Sequence, residues 1–340
     1  MAGLILALVF LLSFGSSIAA DVTASQFRAA AAYSAARRGY SLLVMQHGRI
    51  TFEDYQNGHP ADEAHKIYSG TKGFWILAGL KAVEEGLIRL DEPVADTISE
   101  WRADRDKARI TIRQLLDFTS GVDAENRLHG DGFKNRNELA LKVPQVAPIG
   151  REFIYGPAAL QVFHELLRRK LANREQTPTQ YLERKVLASL DLGPQRYMAD
   201  AQGNPLLATG FQMTAREWLR MGQLILRGGA PVVSPELFME CFRGTSVNPS
   251  FGFGFWNNHR ASNPWAREFD IEDMLQRKWE KQNWRNSCIC RDAPPDLVAS
   301  VGSGYQRLFV IPSLELIIVR QGVNAKFSDG AFLRLLLGKN

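Results

Sequence analysis

Strand-forming sequence near both ends of the chain constrains the fold more than any other feature. Two β-rich runs, 41–45 and 50–52, flank a short linker that contains a glycine, and they predict a β-hairpin. Two further runs, 308–311 and 315–320, surround a Pro-Ser turn near the carboxyl end. A closing helix is predicted over 327–337. These segments predict a core built from both chain termini.

The middle of the chain has a different pattern. Residues from about 90 to 240 are mostly amphipathic helical sequence interrupted by Pro and Gly turns, for example at 158–171 and 215–227. The predicted fold class is α/β, of the α+β kind, in which a sheet made from both ends carries a mostly helical region. The chain has 340 residues, of which 45% are hydrophobic, and this is enough for one large domain.

The charge pattern argues against a nucleic-acid partner. The formal net charge is +5, but Arg and Lys are interleaved with Asp and Glu almost everywhere. Nucleic-acid binders concentrate basic residues on one patch or stripe. The short basic runs, such as 168–170, are therefore interpreted as solvated helix surface.

The first twenty residues are interpreted as a secretory signal peptide. An uncharged apolar run, 3–14, precedes the small residues of 15–20, and Asp21 follows. A run of about 12 apolar residues before a small-residue cleavage site is typical of a signal peptide, whereas a membrane span needs about 20. The alternative is an uncleaved membrane anchor, because no Lys or Arg precedes the run. We expect a mature domain over 21–340, exported to the periplasm or secreted, with membrane contact only through an uncleaved leader.

The three cysteines leave the disulfide pattern open. Cys288 and Cys290 are too close in sequence to bridge each other without strain, and Cys241 is able to pair with either. An odd count leaves at least one thiol unpaired. None of the three has zinc-site spacing and no His-Glu-x-x-His string occurs, so no metal is expected.

One short string places a nucleophile beside a base. Ser69-Gly70-Thr71-Lys72 is the only Ser-x-x-Lys in the chain, and a helix is predicted from about 70 to 85. Ser69 is expected at its N-cap, where free backbone N–H groups surround the hydroxyl. Side chains three apart share a helix face, and a desolvated lysine activates a serine. An ordinary capping serine with a solvated lysine is equally compatible with this string alone.

Further strings in a fixed order decide between these interpretations. The chain resembles the serine β-lactamase and penicillin-binding family, in its branch of class C β-lactamases, related esterases and oligo-amide hydrolases. The resemblance rests on the Ser69/Lys72 string followed by Leu90-Asp91-Glu92-Pro93, by Ile110-Thr111-Ile112-Arg113-Gln114-Leu115-Leu116 with Thr119-Ser120-Gly121, by Tyr155-Gly156-Pro157, by Met213-Thr214-Ala215, by Gly252-Phe253-Gly254-Phe255-Trp256, and by Gly302-Ser303-Gly304-Tyr305-Gln306. Together these strings span about residues 40 to 335.

The resemblance implies a β-lactamase/transpeptidase-like fold with an antiparallel sheet, and it implies roles for particular residues. Ser69 matches the acylated nucleophile, and Lys72 and Tyr155 match the residues that handle its proton. The backbone N–H groups of Ser69 and Ser303 match the oxyanion hole. Gly302 and Gly304 match the substrate-binding element. No cofactor is expected.

Two departures from the family pattern bear on the substrate. Pro157 stands where the family's Tyr-x-Asn element has its amide, so a hydrogen bond to the substrate is lost. The third family motif here reads Ser300-Val301-Gly302 and lacks the basic residue that clamps a substrate carboxylate; the direction of Arg307 is left open. Both departures favour an esterase or amidase over an efficient β-lactamase.

The sequence therefore predicts an exported serine hydrolase acting on a small ester, amide or peptide-like molecule. The alternative is a non-catalytic or slowly turning over penicillin-binding or sensor-like protein of the same fold. Residues 257–297 match no family string, and are interpreted either as a lid over the pocket or as a surface excursion.

Overall fold

The computed structural model describes residues 21–323 and 326–339. The predicted signal peptide, 1–20, lies outside the described residues. The strands are β1 (Gly39–Gln46), β2 (Arg49–Tyr55), β3 (His65–Lys66), β4 (Gln212–Met213), β5 (Trp256–Asn257), β6 (Arg267–Glu268), β7 (Ser287–Cys288), β8 (Val298–Gly302), β9 (Gln306–Ile311) and β10 (Leu316–Gly322). The α-helices are α1 (Ala24–Ala35), α2 (Thr71–Glu84), α3 (Ile112–Leu116), α4 (Arg136–Lys142), α5 (Pro157–Leu171), α6 (Pro178–Leu182), α7 (Ala215–Leu226), α8 (Pro235–Phe238), α9 (Ile271–Leu275) and α10 (Asp329–Leu337).

Both ends of the chain meet in one antiparallel sheet, which confirms the predicted fold class. Its strand order is β2-β1-β10-β9-β8-β5, and every neighbouring pair is antiparallel. The turn between β1 and β2 places His47 and Gly48 at φ of 50° and 72°, the backbone shape that two-residue hairpins favour. The hairpin predicted from the sequence is therefore present.

Helices cover both faces of the sheet. On one face α10 packs against β9, where the rings of Phe332 and Phe309 stack at 6.4 Å. On the other face α7 approaches so closely that a Cβ on Gly222 would lie 2.4 Å from the Ile317 side chain of β10. Every residue of β9 and β10 is consequently buried.

The nucleophile helix differs from its prediction at the first turn. Residues Tyr68–Gly70 form a 3-10 turn, and α2 begins at Thr71 with Gly70 as its N-cap. Ser69 is therefore not the N-cap, and that prediction is wrong. The reason is that Gly70 N–H already bonds the Ile67 carbonyl at 2.9 Å, which closes a turn before the α-helix starts. At the far end Gly86 has φ of 69°, as a helix-terminating glycine does.

Between α2 and β5 the described chain is mainly helices, short 3-10 turns and loops. The two long helices, α5 and α7, lie within one or two residues of the ranges that the sequence predicts. The short strands β3 and β4 pair with each other beside the start of α2. Within the described residues, no helix combines the length and apolar character that crossing a membrane requires.

Candidate active site

Ser69 lies on the 3-10 turn, at the edge of a pocket of about 750 Å³. Neighbouring segments hold this turn in place. Ile67 donates its N–H to the Phe211 carbonyl at 3.1 Å, and a Cβ on Gly302 would lie 2.0 Å from the Ile67 carbonyl oxygen. Only glycine fits at position 302, because β8 packs directly on the backbone that presents Ser69. Tyr68, which precedes the serine, has φ of 45°, so the backbone is strained at this turn.

Lys72 lies next to the Ser69 hydroxyl. Its Nζ donates to Ser69 Oγ at 2.8 Å and to the Ala208 carbonyl at 3.0 Å. The side chain is 1% exposed, and within residues 21–323 and 326–339 no carboxylate forms an ion pair with it. Burial therefore lowers the pKa of Lys72 to about 7. A lysine with such a pKa is substantially neutral near neutral pH and is able to accept a proton.

Tyr155 faces the same two side chains. Lys72 Nζ lies 4.6 Å from the centroid of the Tyr155 ring. Burial raises the pKa of the Tyr155 phenol well above its usual value, although the Ser69 hydroxyl opposes this shift. The ring packs against Phe118 and Phe251 at centroid distances of 4.9 and 5.8 Å. Tyr155 is therefore a fixed, protonated phenol beside the serine.

The chain after Tyr155 explains the proline found in place of the family's asparagine. Pro157 is the first residue of α5, where a missing N–H costs no hydrogen bond. A Cβ on Gly156 would lie 2.6 Å from the Ala124 carbonyl oxygen, and Ala158 N–H bonds that same oxygen at 3.2 Å. The segment is therefore fixed by backbone contacts and offers no side-chain amide at position 157.

The third family motif reaches the pocket at the end of β8. Ser303 is exposed and lines the pocket beside Ser69. Gly302 supports the serine turn from behind, as described above. Gly304 N–H donates to Glu272 Oε1 at 2.8 Å, and Tyr305 N–H donates to Glu272 Oε2 at 2.7 Å. Of the two glycines predicted to bind substrate, Gly302 supports the serine turn and Gly304 has its N–H occupied by the Glu272 carboxylate. The lining at this point comes from Val301 and Ser303.

Arg307 is directed into the protein and away from the pocket. Its guanidinium is fully buried and bonds Asp329 at 2.7 Å, Glu272 at 3.2 Å and the Gly302 carbonyl at 3.0 Å. Burial disfavours the charged form of Arg307, but the negative charges of Asp329 and Glu272 outweigh it and raise the pKa of the guanidinium. The question that the sequence left open is thereby answered: Arg307 braces the end of β8 and does not clamp a substrate carboxylate.

The pocket is also lined by residues that the sequence did not indicate. Leaving aside α9 and Gln276, they are Lys66, Asn126, His129, Asp131, Arg196, Met198, Thr209, Gly210 and Gln212. His129 is an exposed residue of the pocket lining whose pKa is lowered to about 4, first by desolvation and then by the charge of Lys72. These residues come from short strands, turns and loops that are far apart in the chain, and none belongs to a short motif that would have identified it.

Residues 257–297 contribute one wall of the pocket. Glu272, Leu275 and Gln276, on or next to α9, line it. Asn258, at the start of the segment, is joined to residues near its end: its Oδ1 accepts hydrogen bonds from the N–H groups of Ile289 and Cys290 at 2.8 and 3.1 Å. The segment was interpreted either as a lid over the pocket or as a surface excursion; its α9 part lines the pocket, whereas Trp265 lies on the surface with 79% of the residue exposed.

Trp284 holds this wall to the rest of the fold through two aromatic contacts. Trp284 packs on Trp256 at 5.0 Å and on Phe153 at 5.6 Å, which connects the wall to the aromatic cluster around Tyr155. The three cysteines are buried free thiols, so no disulfide fastens this part of the described chain.

Comparison with known proteins identifies the family. The profile of the beta-lactamase family matches residues 24–262. Protein flp of Staphylococcus aureus (strain MRSA252) is 25% identical over 215 residues, which are 59% of this chain and 40% of that protein. The chain thus spans well under half the length of the curated relatives it matches. Because the family profile covers more than half of the chain, the chain belongs to the beta-lactamase family, whose members include serine hydrolases.

Two solved structures share the fold over nearly their whole length. EstCE1, a hydrolase with promiscuous acyltransferase activity, superposes with a TM-score of 0.66 at 16% identity and covers 92% of this chain and 98% of its own. A D-stereospecific amidohydrolase from Streptomyces sp. gives a TM-score of 0.66 at 14% identity, with 93% and 98% covered. At this identity the likeness defines the fold alone. The resemblance drawn from the sequence motifs is confirmed.

Proposed function

We propose that this protein is an exported serine hydrolase that cleaves an ester or amide bond through an acyl-enzyme on Ser69. One observation carries the proposal: a buried lysine whose pKa is lowered to about 7 donates a 2.8 Å hydrogen bond to the Ser69 hydroxyl. A serine hydroxyl needs an adjacent base to attack a carbonyl at neutral pH. Lys72 in its neutral form meets that requirement.

The proposed reaction has two half-reactions. Neutral Lys72 takes the hydroxyl proton while Ser69 Oγ attacks the carbonyl carbon, and the resulting oxyanion is held by the N–H groups of Ser69 and Ser303. The carbon–oxygen or carbon–nitrogen bond of the leaving group then breaks, and Tyr155 passes the proton from Lys72 to that group. Water attacks the acyl-enzyme by the reverse proton path and releases the acid. The high pKa of Tyr155 assigns it the role of relay, with Lys72 as the base.

The chemistry of the pocket favours substrates without a carboxylate near the reacting carbonyl. Glu272 places its carboxylate on the backbone donors just beyond Ser303, and Arg307 is fully used within the protein. A substrate carboxylate beside Ser303 would meet the negative Glu272, while Arg307 is paired within the protein. The pocket cations Lys66 and Arg196 lie on other segments of the lining. We therefore assign an ester or amide without a carboxylate next to the reacting carbonyl as the substrate class.

The second candidate is a protein that is acylated but releases the acyl group slowly. It is supported by the absence of a side-chain amide at position 157, which removes a substrate contact of the family pattern. The two candidates differ only in the deacylation step. A single experiment therefore separates them.

The test is labelling with a fluorophosphonate, read by intact mass, together with turnover of short p-nitrophenyl esters. We expect one adduct on Ser69, steady turnover in the wild type, and neither in Ser69→Ala. Ser189→Ala is the matched control, because Ser189 is exposed on the surface. A single burst of product without turnover indicates the slow acyl-protein. Labelling that persists in Ser69→Ala refutes the assignment of the nucleophile.

A further inference from the structure

Two histidines and a glutamate lie together on the segment that precedes Ser69. We call His59, Glu63 and His65 the His-Glu-His cluster. His59 Nδ1 lies 2.9 Å from Glu63 Oε2, and His65 Nε2 lies 3.8 Å from the same oxygen. One ligand atom from each of the three residues lies within 4.8 Å of the other two.

The Tyr40 ring holds both imidazoles of the cluster in place. It packs on both, at centroid distances of 3.9 Å to His59 and 4.5 Å to His65. Imidazole nitrogens and carboxylate oxygens are groups that bind metal ions.

We propose that the His-Glu-His cluster binds one divalent transition-metal ion, with zinc the ion that its donors fit best. Two imidazole nitrogens and one carboxylate oxygen are a common three-ligand zinc set, with water in the fourth position. Ligand atoms of a tetrahedral zinc site stand about 3.4 Å apart, given bond lengths of about 2.1 Å. The two histidine–glutamate separations, 2.9 and 3.8 Å, bracket that value, and the three ligand atoms lie within 4.8 Å of one another, so side-chain rotations are able to bring all three to zinc spacing. Magnesium, which prefers oxygen ligands, is excluded by the same donors.

The other compact group of ligand-type side chains lacks these properties. Glu268, Cys290 and Asp292 also lie close together. However, Arg334 pairs with both carboxylates, at 2.6 Å for Asp292, and burial raises the pKa of the Cys290 thiol. The cation that this group needs is therefore already supplied by the protein.

The position of the cluster gives the ion a structural role. His65 and Lys66 form β3 and pair with Met213 and Gln212 of β4. Lys66 and Gln212 line the pocket, and Ser69 follows three residues after Lys66. An ion at the cluster would tie the loop at 59–63 to the strand that leads into the nucleophile turn. It would stabilise this side of the pocket without entering the acyl-transfer reaction.

The experiment uses the full chain without a histidine tag, stripped with a chelator and titrated with zinc chloride by calorimetry. We expect one zinc per chain and a rise in Tm on zinc addition, since an ion that binds only the folded state stabilises it. Glu63→Gln and His65→Asn should each weaken zinc binding by about tenfold or more. His259→Asn is the control, because this histidine lies outside the cluster. Magnesium chloride should produce no heat and no shift.

The outcomes separate the alternatives. Unchanged zinc affinity in Glu63→Gln and His65→Asn, or no binding to the folded wild type, would overturn the proposal and leave a hydrogen-bonded His-Glu-His group. Circular dichroism checks the fold of each variant. Glu63 has a side chain that is 44% exposed, so Glu63→Gln remains decisive even if His65→Asn fails to fold.

Discussion

Replacing Lys72 with Met tests the protonation behaviour on which the proposed acylation depends. Burial lowers the pKa of this lysine from its ordinary 10.5 to about 7. That difference corresponds to about 5 kcal/mol, at about 1.4 kcal/mol per pKa unit. Between these two pKa values the unfolded chain binds more protons than the folded chain. The free energy of unfolding therefore rises with pH in this window, and Lys72→Met should lose that contribution.

The size of the effect follows from the same values. The cost of burying this lysine is about 4 kcal/mol at pH 7 and about 2 kcal/mol at pH 9. Met fills most of the same volume but loses the hydrogen bonds to Ser69 and to the Ala208 carbonyl, together worth about 2 kcal/mol. We therefore expect Lys72→Met to be more stable than the wild type by about 2 kcal/mol at pH 7, and about equal to it at pH 9.

The assay is equilibrium unfolding in urea at both pH values, with the slope of the transition checked for constancy. Lys81→Met is the matched control: it lies on the same helix, with its side chain 22% exposed, and should follow the wild type in its pH dependence. Parallel pH dependences of the wild type and Lys72→Met, or a variant less stable than the wild type at pH 7, would refute the reasoning.

Three further predictions concern the reaction and the backbone around it. Because only neutral Lys72 accepts the serine proton, the acylation rate should rise about tenfold per pH unit below about pH 7 and level off above it; a flat profile of fluorophosphonate labelling contradicts this. Tyr155→Phe keeps the ring packing but removes the relay, so kcat for p-nitrophenyl esters should fall by about 10² to 10⁴; unchanged kcat in the folded variant excludes the relay role. Gly302→Ala places a Cβ 2.0 Å from the Ile67 carbonyl oxygen and should lower both Tm and kcat. The control Gly222→Ala places a Cβ 2.4 Å from the Ile317 side chain, away from Ser69, and should lower Tm alone. Equal kcat losses in these two variants would show that Gly302 has no special role in presenting the nucleophile.

The parts of the fold that were predictable are those encoded locally. The β1–β2 hairpin, α5 and α7 carry patterns that a short window reveals, namely strand alternation, turn residues and an apolar helix face. Strand β8 was not identified, and helix α1 was missed although it is rich in alanine and begins with a capping box between Thr23 and Gln26. The start of α2 was also predicted wrongly. The Gly70–Ile67 hydrogen bond closes a 3-10 turn there, and Ile67 is itself held by Phe211 and Gly302, which are distant in sequence.

The candidate site shows the same division. Ser69, Lys72 and Tyr155 were predicted from short motifs whose order along the chain is itself informative, and the structure brings their side chains together. Glu272 and His129 were not predicted, because the fold brings each to the pocket and the sequence around each contains no motif that indicates it. The direction of Arg307 depended on Asp329, a partner 22 residues away, and so was decided only by the structure.

The pocket wall that contains α9 belongs to a different segment of the chain from Ser69 and Ser303. Residues 258–297 connect β5 and β8, and these strands are direct neighbours, with Trp256 opposite Ala299 and Asn257 opposite Val298. The ends of the connection are therefore held at a fixed spacing by strand pairing. Since loop-closure cost grows only slowly with length, such a connection tolerates wide changes in length and composition. This one connection is therefore able to change in sequence and length, and with it one side of the pocket, while β8 keeps its register and Ser303 keeps its place beside Ser69.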